Sequence, residues 1–179
     1  MKKYYVSLLL GVVLTAGLVF SSSASAAPYC GIAWGSQPKS VADKGAGEVL
    51  KNIKTGRHAC FDRMVISVSA ANKSGYNVRY VSNVRADGSG QLISLAGGAK
   101  LSIIAKSPAY TSGGSPTYAG RINRTLPGVN LTGYTTFKDA KYAGSFEGQT
   151  TIGLGVRSKL PFRVFSLDNR IVIDVAHRW

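Results

Sequence analysis

Over most of this chain from Asp62 onward, apolar residues recur at every second position, and this period constrains the fold more than any other feature. Met64, Ile66 and Val68 alternate with Val65, Ser67 and Ser69. Val78 and Tyr80 alternate with Arg79 and Val81, and Leu101, Ile103 and Ala105 share a face. Ile152, Leu154 and Val156 alternate with Gly153, Gly155 and Arg157; Phe162 and Val164 flank Arg163; Ile171, Ile173 and Val175 alternate with Val172, Asp174 and Ala176. Successive strand side chains point to opposite faces, so this spacing predicts half-buried strands. Turn chemistry separates them. Asp87-Gly88-Ser89-Gly90 lies between a strand over 76–84 and a short one at Leu92. Gly148-Gln149 lies between 142–147 and 150–157, and Asp168-Asn169 between 162–167 and 171–175. Gly, Asn and Asp tolerate the positive φ of tight hairpins. Pro161 cannot donate to a central ladder and marks a strand boundary. Many short strands with turns between them predict an all-β, antiparallel sandwich or barrel.

The N-terminus gives an address. Lys2 and Lys3 precede an apolar run from Val6 to Phe20, and small residues fill 21–27. That order is a cleavable secretory signal, with the cut after Ala26 or Ala27. The run of about 15 residues is shorter than the roughly 20 that span a bilayer. Cys30 lies too far past the cut for a lipid anchor. The expected location is therefore secreted, extracellular or cell-wall associated, without a membrane anchor. Cleavage leaves about 152 residues, enough for one domain with a real core. Of 22 basic and 8 acidic residues it removes only Lys2 and Lys3, so the mature chain carries +12. Such a surface associates with polyanions. Export, and the lack of a basic helix or zinc-ligand spacing, argue against nucleic acid as a partner.

Two cysteines in an exported chain predict one disulfide, Cys30–Cys60. Closing a loop of this length contributes about 3–4 kcal/mol in the chain-entropy account. The rival is a catalytic thiol near His58, which needs an unpaired, activated thiolate. Residues 28–61 are rich in Gly, Pro, Ser and Lys and read as an N-terminal arm, in which 43–53 could hold a short helix weakened by its glycines. The sandwich domain is then expected over 62–179. Residues 107–130 interrupt the strand pattern with a long Ser-, Gly- and Pro-rich loop, a length that is either functional or a flexible insertion.

No catalytic set emerges. The histidines are His58, beside Cys60, and His177, near the end of the chain. There is no H-E-x-x-H, G-x-S-x-G or Walker loop, and neither a metal site nor a cofactor is expected. Gly153-Leu154-Gly155 lies in strand context, where glycines mark a bulge or a close backbone approach. Asp62 and Asp174 adjoin apolar strands and are expected to pair with arginines. Trp34, Tyr110, Tyr118 and Trp179 fall in loops or at the terminus, where exposed rings can stack on sugars. For the two tryptophans, burial over the ends of the sandwich is the favoured expectation.

Several stretches carry a family resemblance: AGSFEGQTTIGLGVR at 143–157, LPFRVF at 160–165, GRHACFDR at 56–63 and IVIDV at 171–175. Together they resemble the secreted AMIN-like domain proteins of Gram-positive actinobacteria over most of 30–179. The resemblance implies kinship in fold to the AMIN domain, a small β-sandwich that is non-catalytic and targets wall amidases to peptidoglycan. This chain departs from the amidase arrangement, because no catalytic domain follows the sandwich.

The turn at 147–150 gathers Glu147, Gln149, Thr150 and Thr151, with Arg157 and Arg163 on neighbouring strands. Glu and Gln can hydrogen-bond sugars or stem peptides, and arginines can hold carboxylates bidentately. The competing expectation is that Glu147 pairs with Arg157 or Arg163 to set strand register. Expected binding residues are thus Glu147, Gln149, Thr150, Arg157, Arg163, Tyr110 and Tyr118. The first expectation of function is a non-catalytic envelope-binding module for cell-wall glycan or an anionic polymer. The alternatives are a protein-interaction module using the 107–130 loop and a small secreted hydrolase around His58 or His177.

Overall fold

A computed structural model describes residues 28–45, 48–69 and 74–179; the expected signal at 1–27 lies outside the described residues. Eleven strands follow a short turn of 3-10 helix at Tyr29–Gly31. They are β1 (Lys39–Val41), β2 (Leu50–Arg57), β3 (Phe61–Val68), β4 (Tyr76–Val81), β5 (Val84–Arg85), β6 (Leu92–Ile93), β7 (Ala99–Ala105), β8 (Phe137–Phe146), β9 (Gln149–Val156), β10 (Phe162–Leu167) and β11 (Arg170–Ala176). One sheet runs β1-β4-β7-β9-β8 and the other β10-β11-β3-β2, with every pairing antiparallel. The predicted alternation sets the core between them. Met64, Ile66, Ile171 and Ile173 of the smaller sheet meet Leu101, Ile103, Ile152 and Leu154 of the larger, all buried. The fold is an antiparallel β-sandwich, and the barrel alternative is excluded by two separate sheets.

The predicted hairpins form, and in the first of them the strand expected over 76–84 ends at Val81. Val84 begins the β5–β6 ribbon, which packs Val84, Ala86, Ile93 and Leu95 on Ala143 in a second small core. Gly153 and Gly155 make room for that ribbon. A Cβ at Gly153 would sit 2.8 Å from Leu95 Cδ1, and one at Gly155 would strike the Ala96 carbonyl oxygen. Gly155→Ala is therefore expected to lift the ribbon and cost about 1–3 kcal/mol, the usual range for overpacking. Urea unfolding measures this, and an unchanged midpoint would show that the ribbon is not held against β9.

Two departures from the sequence pattern share a cause. The 43–53 region expected to hold a short helix supplies β2 instead, so a segment assigned to the arm belongs to the smaller sheet. A register shift between Leu50 and Asn52 puts Leu50 and Ile53 on the same buried face at a spacing of three, which imitates a helix. β8 likewise starts at Phe137, not Tyr142. Shifts at Phe137/Asp139 and Tyr142/Gly144 break its alternation, so Phe137, Ala140 and Tyr142 all reach the core.

Both open sides of the sandwich are laced shut. On one, Cys30–Cys60 form the expected disulfide, Phe162 N donates to Gly35 O (2.9 Å), and β1 adds to β4. On the other, the long loop binds the edges of both sheets. Leu50 N donates to Pro108 O (2.8 Å) and Thr117 Oγ1 to Leu50 O (2.7 Å) at β2. Leu126 N donates to Ala140 O (3.1 Å) and Tyr142 N to Arg124 O (3.0 Å) at β8. Leu126 is buried in the core and Tyr134 OH donates to Thr55 Oγ1. Covered edges cannot template pairing with another chain, so this loop has a structural task and is not a floppy insertion.

Candidate functional site

The fold places the seven expected binding residues in four different regions. Tyr110, Glu147 and Gln149 lie together at the end of the sandwich where β9 begins. Glu147 and Gly148 both have positive φ (48° and 78°), as a tight hairpin turn requires, and Glu147 is exposed. Gln149 Oε1 accepts from Lys106 Nζ (2.6 Å), and Gly148 N donates to the Tyr110 hydroxyl oxygen (3.3 Å). Thr150 is fully buried, its hydroxyl donating to Ser107 O (2.8 Å), so it braces the turn from within. Tyr118, read as an exposed ring, is buried against Tyr142 because the loop folds onto the core, and burial pushes its hydroxyl pKa up. Arg157 sits beyond the opposite end of β9 and donates to His177 O. Arg163 lies on the other sheet. Glu147 thus pairs with neither arginine: the length of β9 separates it from Arg157, and Arg163 belongs to the other sheet.

Arg163 belongs to a more developed cluster on the outer face of the smaller sheet. It lies directly across from Asp174 on β11, which lies across from Arg63 on β3. Asp174 is fully buried. Its Oδ1 accepts from Arg63 Nε (2.6 Å), and its Oδ2 accepts from Arg63 Nη2 (2.9 Å) and Arg163 Nε (2.8 Å). The hydrogen bonds that Arg63 donates to Asp174 raise its pKa against the opposing effect of burial. The Arg163 guanidinium carbon stands 5.6 Å from the Trp34 ring, 5.4 Å from Phe61 and 5.1 Å from Phe165. Arg63 stands 5.1 Å from Phe61, on which His58 stacks at 4.5 Å. Rings and guanidiniums in this geometry attract one another. Both arginine side chains stay partly exposed, at 26% and 31%. Among the described residues, Arg63 Nη1 and both terminal nitrogens of Arg163 have no protein acceptor. The cluster therefore offers outward N–H donors from cations held rigid by a buried carboxylate, and aromatic rings at their sides.

Sequence reasoning foresaw that Asp174 pairs with arginine and that Arg163 is a candidate, but it missed Arg63, Phe61 and Phe165. Alternation does place Arg63, Asp174 and Arg163 on one side of their strands, whereas the cross-strand register that aligns them is invisible in one chain. Asp62 departs from its expected arginine. It is fully buried, and its Oδ2 accepts from Thr136 N (2.6 Å) and Phe137 N (3.0 Å) while Oδ1 meets His177 Nε2 (3.2 Å). Trp34 is half-buried, its Nε1 donating to Tyr29 O, but Trp179 is 69% exposed, contrary to the expectation of burial. Among the described residues no three His, Cys, Asp or Glu side chains gather as metal ligands, and no helix is long and apolar enough to cross a membrane.

Compared with known proteins, the chain matches the family model described as AMIN-like domain over residues 48–177. No curated protein and no solved structure gives a significant match. The matched stretch begins just before β2 and ends just after β11, so it contains Arg63, Asp174 and Arg163 but not Trp34.

Proposed function

The chain belongs to the AMIN-like domain family, and from that premise we propose that it is a secreted, non-catalytic module that binds the cell envelope, through wall glycan or an anionic wall polymer. The observation that carries this is the Arg63–Asp174–Arg163 cluster with its flanking rings. Guanidinium N–H groups suit the carboxylates of stem peptides and acidic sugars, and ring faces beside them suit the sugar itself. The leader at 1–27 and the net charge support an extracellular place of action.

Sedimentation with isolated wall sacculi tests the proposal. The mature protein is expected to pellet with sacculi at low salt and to be released as salt rises. Arg163→Gln leaves Asp174 held by Arg63 and should weaken retention by roughly tenfold, the scale of a lost charge-assisted hydrogen bond. Protein that stays in the supernatant even at low salt would remove the proposal.

A further inference from the structure

The exposed acidic side chains in turns lie at one end of the sandwich, and the other end is basic. The end where β9 finishes and β3 starts brings together Arg57, Lys100, Arg157, Lys159 and Arg178. Among the described residues its side-chain carboxylates are both occupied. Asp62 is buried under two amides and His177, and Asp139 accepts from Ala96 N (3.1 Å) and lies 3.6 Å from Lys141 Nζ. The exposed Glu147 and Asp168 sit in turns at the opposite end. A cleft of about 420 Å³ opens at the basic end between the last turn of β4 and the chain leaving β9, with Tyr80, Lys100 and Lys159 in its wall. Lys159 Nζ hangs 5.9 Å over the Tyr80 ring. Tyr80 is fixed by donating to Leu160 O (2.6 Å), and burial keeps it neutral, with its pKa pushed up to about 12. The exposed Trp179 is tethered beside the cleft by its Nε1, which donates to Lys159 O (3.3 Å).

We propose that this end is a second binding site, separate from the arginine–aromatic face, and that its ligand is a linear polymer whose charges are phosphates. This deepens the anionic-polymer part of the proposed function and rests on it. The cation type suits phosphate. None of the arginines of this end lines the cleft: Arg157 donates to His177 O, Arg178 lies over the Tyr29 ring at 4.7 Å, and Arg57 donates to Gly133 O (3.4 Å). The cations left facing the cleft are the ammonium groups of Lys100 and Lys159, compact charges with no demand for a planar partner. A planar fork would hold carboxylate or phosphate alike, whereas lysines bind phosphate as point charges, and a tetrahedral phosphate has oxygens to share between two of them. Among the described residues Lys100 Nζ makes one hydrogen bond, a long one of 3.4 Å to Ser82 O, which an entering anion can replace.

Titration of the mature protein with long-chain inorganic polyphosphate, with poly-L-glutamate as the carboxylate counterpart, decides the matter. Polyphosphate is expected to bind more tightly than polyglutamate. The pair Lys100→Gln and Lys159→Gln should weaken polyphosphate by about tenfold or more and flatten its salt dependence, because fewer counterions are released. Lys44→Gln with Lys51→Gln removes the same charge at the other end and should change binding less than about twofold, since those charges are screened over such a distance. Equal losses in the two double variants would overturn the site in favour of diffuse attraction, and equal affinity for the two polymers would overturn its chemistry. Sacculus retention without any polyphosphate binding would remove this site and leave the envelope-binding proposal standing.

Discussion

Asp62→Ala is expected to destabilise the fold by about 4 kcal/mol, the sum of two buried amides left unsatisfied and a charge-assisted network lost. Asp62 reaches across from β3 to Thr136 N, just before β8, and to Phe137 N, the first amide of β8, and so joins the smaller sheet to the larger at one end. The same carboxylate holds the His177 ring, while His177 N donates to Cys60 O (2.9 Å) beside the disulfide. Its removal should therefore loosen β8, the C-terminal residues and the arm together. In a domain of this size the melting temperature falls roughly 2–4 °C per kcal/mol, which gives a drop of about 8–16 °C. Asp62→Asn keeps an acceptor for the amides and should lose distinctly less. Equal and small losses for the two variants, read from urea midpoints at unchanged slope, would show that the amides find other partners.

Asp174→Asn should cost about 3 kcal/mol. Removing one partner from a buried ion pair typically costs 3–5 kcal/mol, and the partial exposure of Arg63 and Arg163 lets water recover some of it. The informative measurement is a double-mutant cycle. Once the carboxylate is gone, Arg163→Gln should cost little or nothing further, because it then relieves repulsion between two unpaired cations. Strict additivity would mean that the cluster is not a coupled unit and that Asp174 does not orient Arg163. Asp174→Asn should also retain less protein on wall sacculi, through misplacement of the guanidiniums, even where the fold survives.

The expected strands at β3, β7, β9, β10 and β11 were legible because alternation is a local property, and each of those strands keeps its period. Leu50–Ile53 in β2 and Phe137–Tyr142 in β8 were not, because bulges alter the period where the strand must bend. The glycines of β9 showed that something approaches the backbone there, though not that it is the β5–β6 ribbon. Among the candidate site residues, Tyr110, Glu147 and Gln149 are near in sequence or joined by one loop contact, and the structure keeps them together. Arg157 and Arg163 are only six residues apart, yet they part company because the chain crosses from one sheet to the other at Pro161. Tyr118 was misjudged for a related reason: loop composition does not reveal that the loop packs back on the core.

The sequence by itself determined the all-β class, the hairpin turns, the Cys30–Cys60 bridge, the excess of positive charge and the family of the matched domain. All of these follow from neighbours along the chain, from counting, or from motif. Tertiary structure alone decided which strands pair and in what register, and so where charge comes to rest. Asp174 meets Arg63 across 111 residues, and Asp62 meets Phe137 across 75. Burial of each carboxylate is tolerable only because those distant partners arrive. The basic end exists for the same reason: the register of β3 and β9 gathers scattered lysines and arginines on one end while its acidic groups are consumed inside the fold.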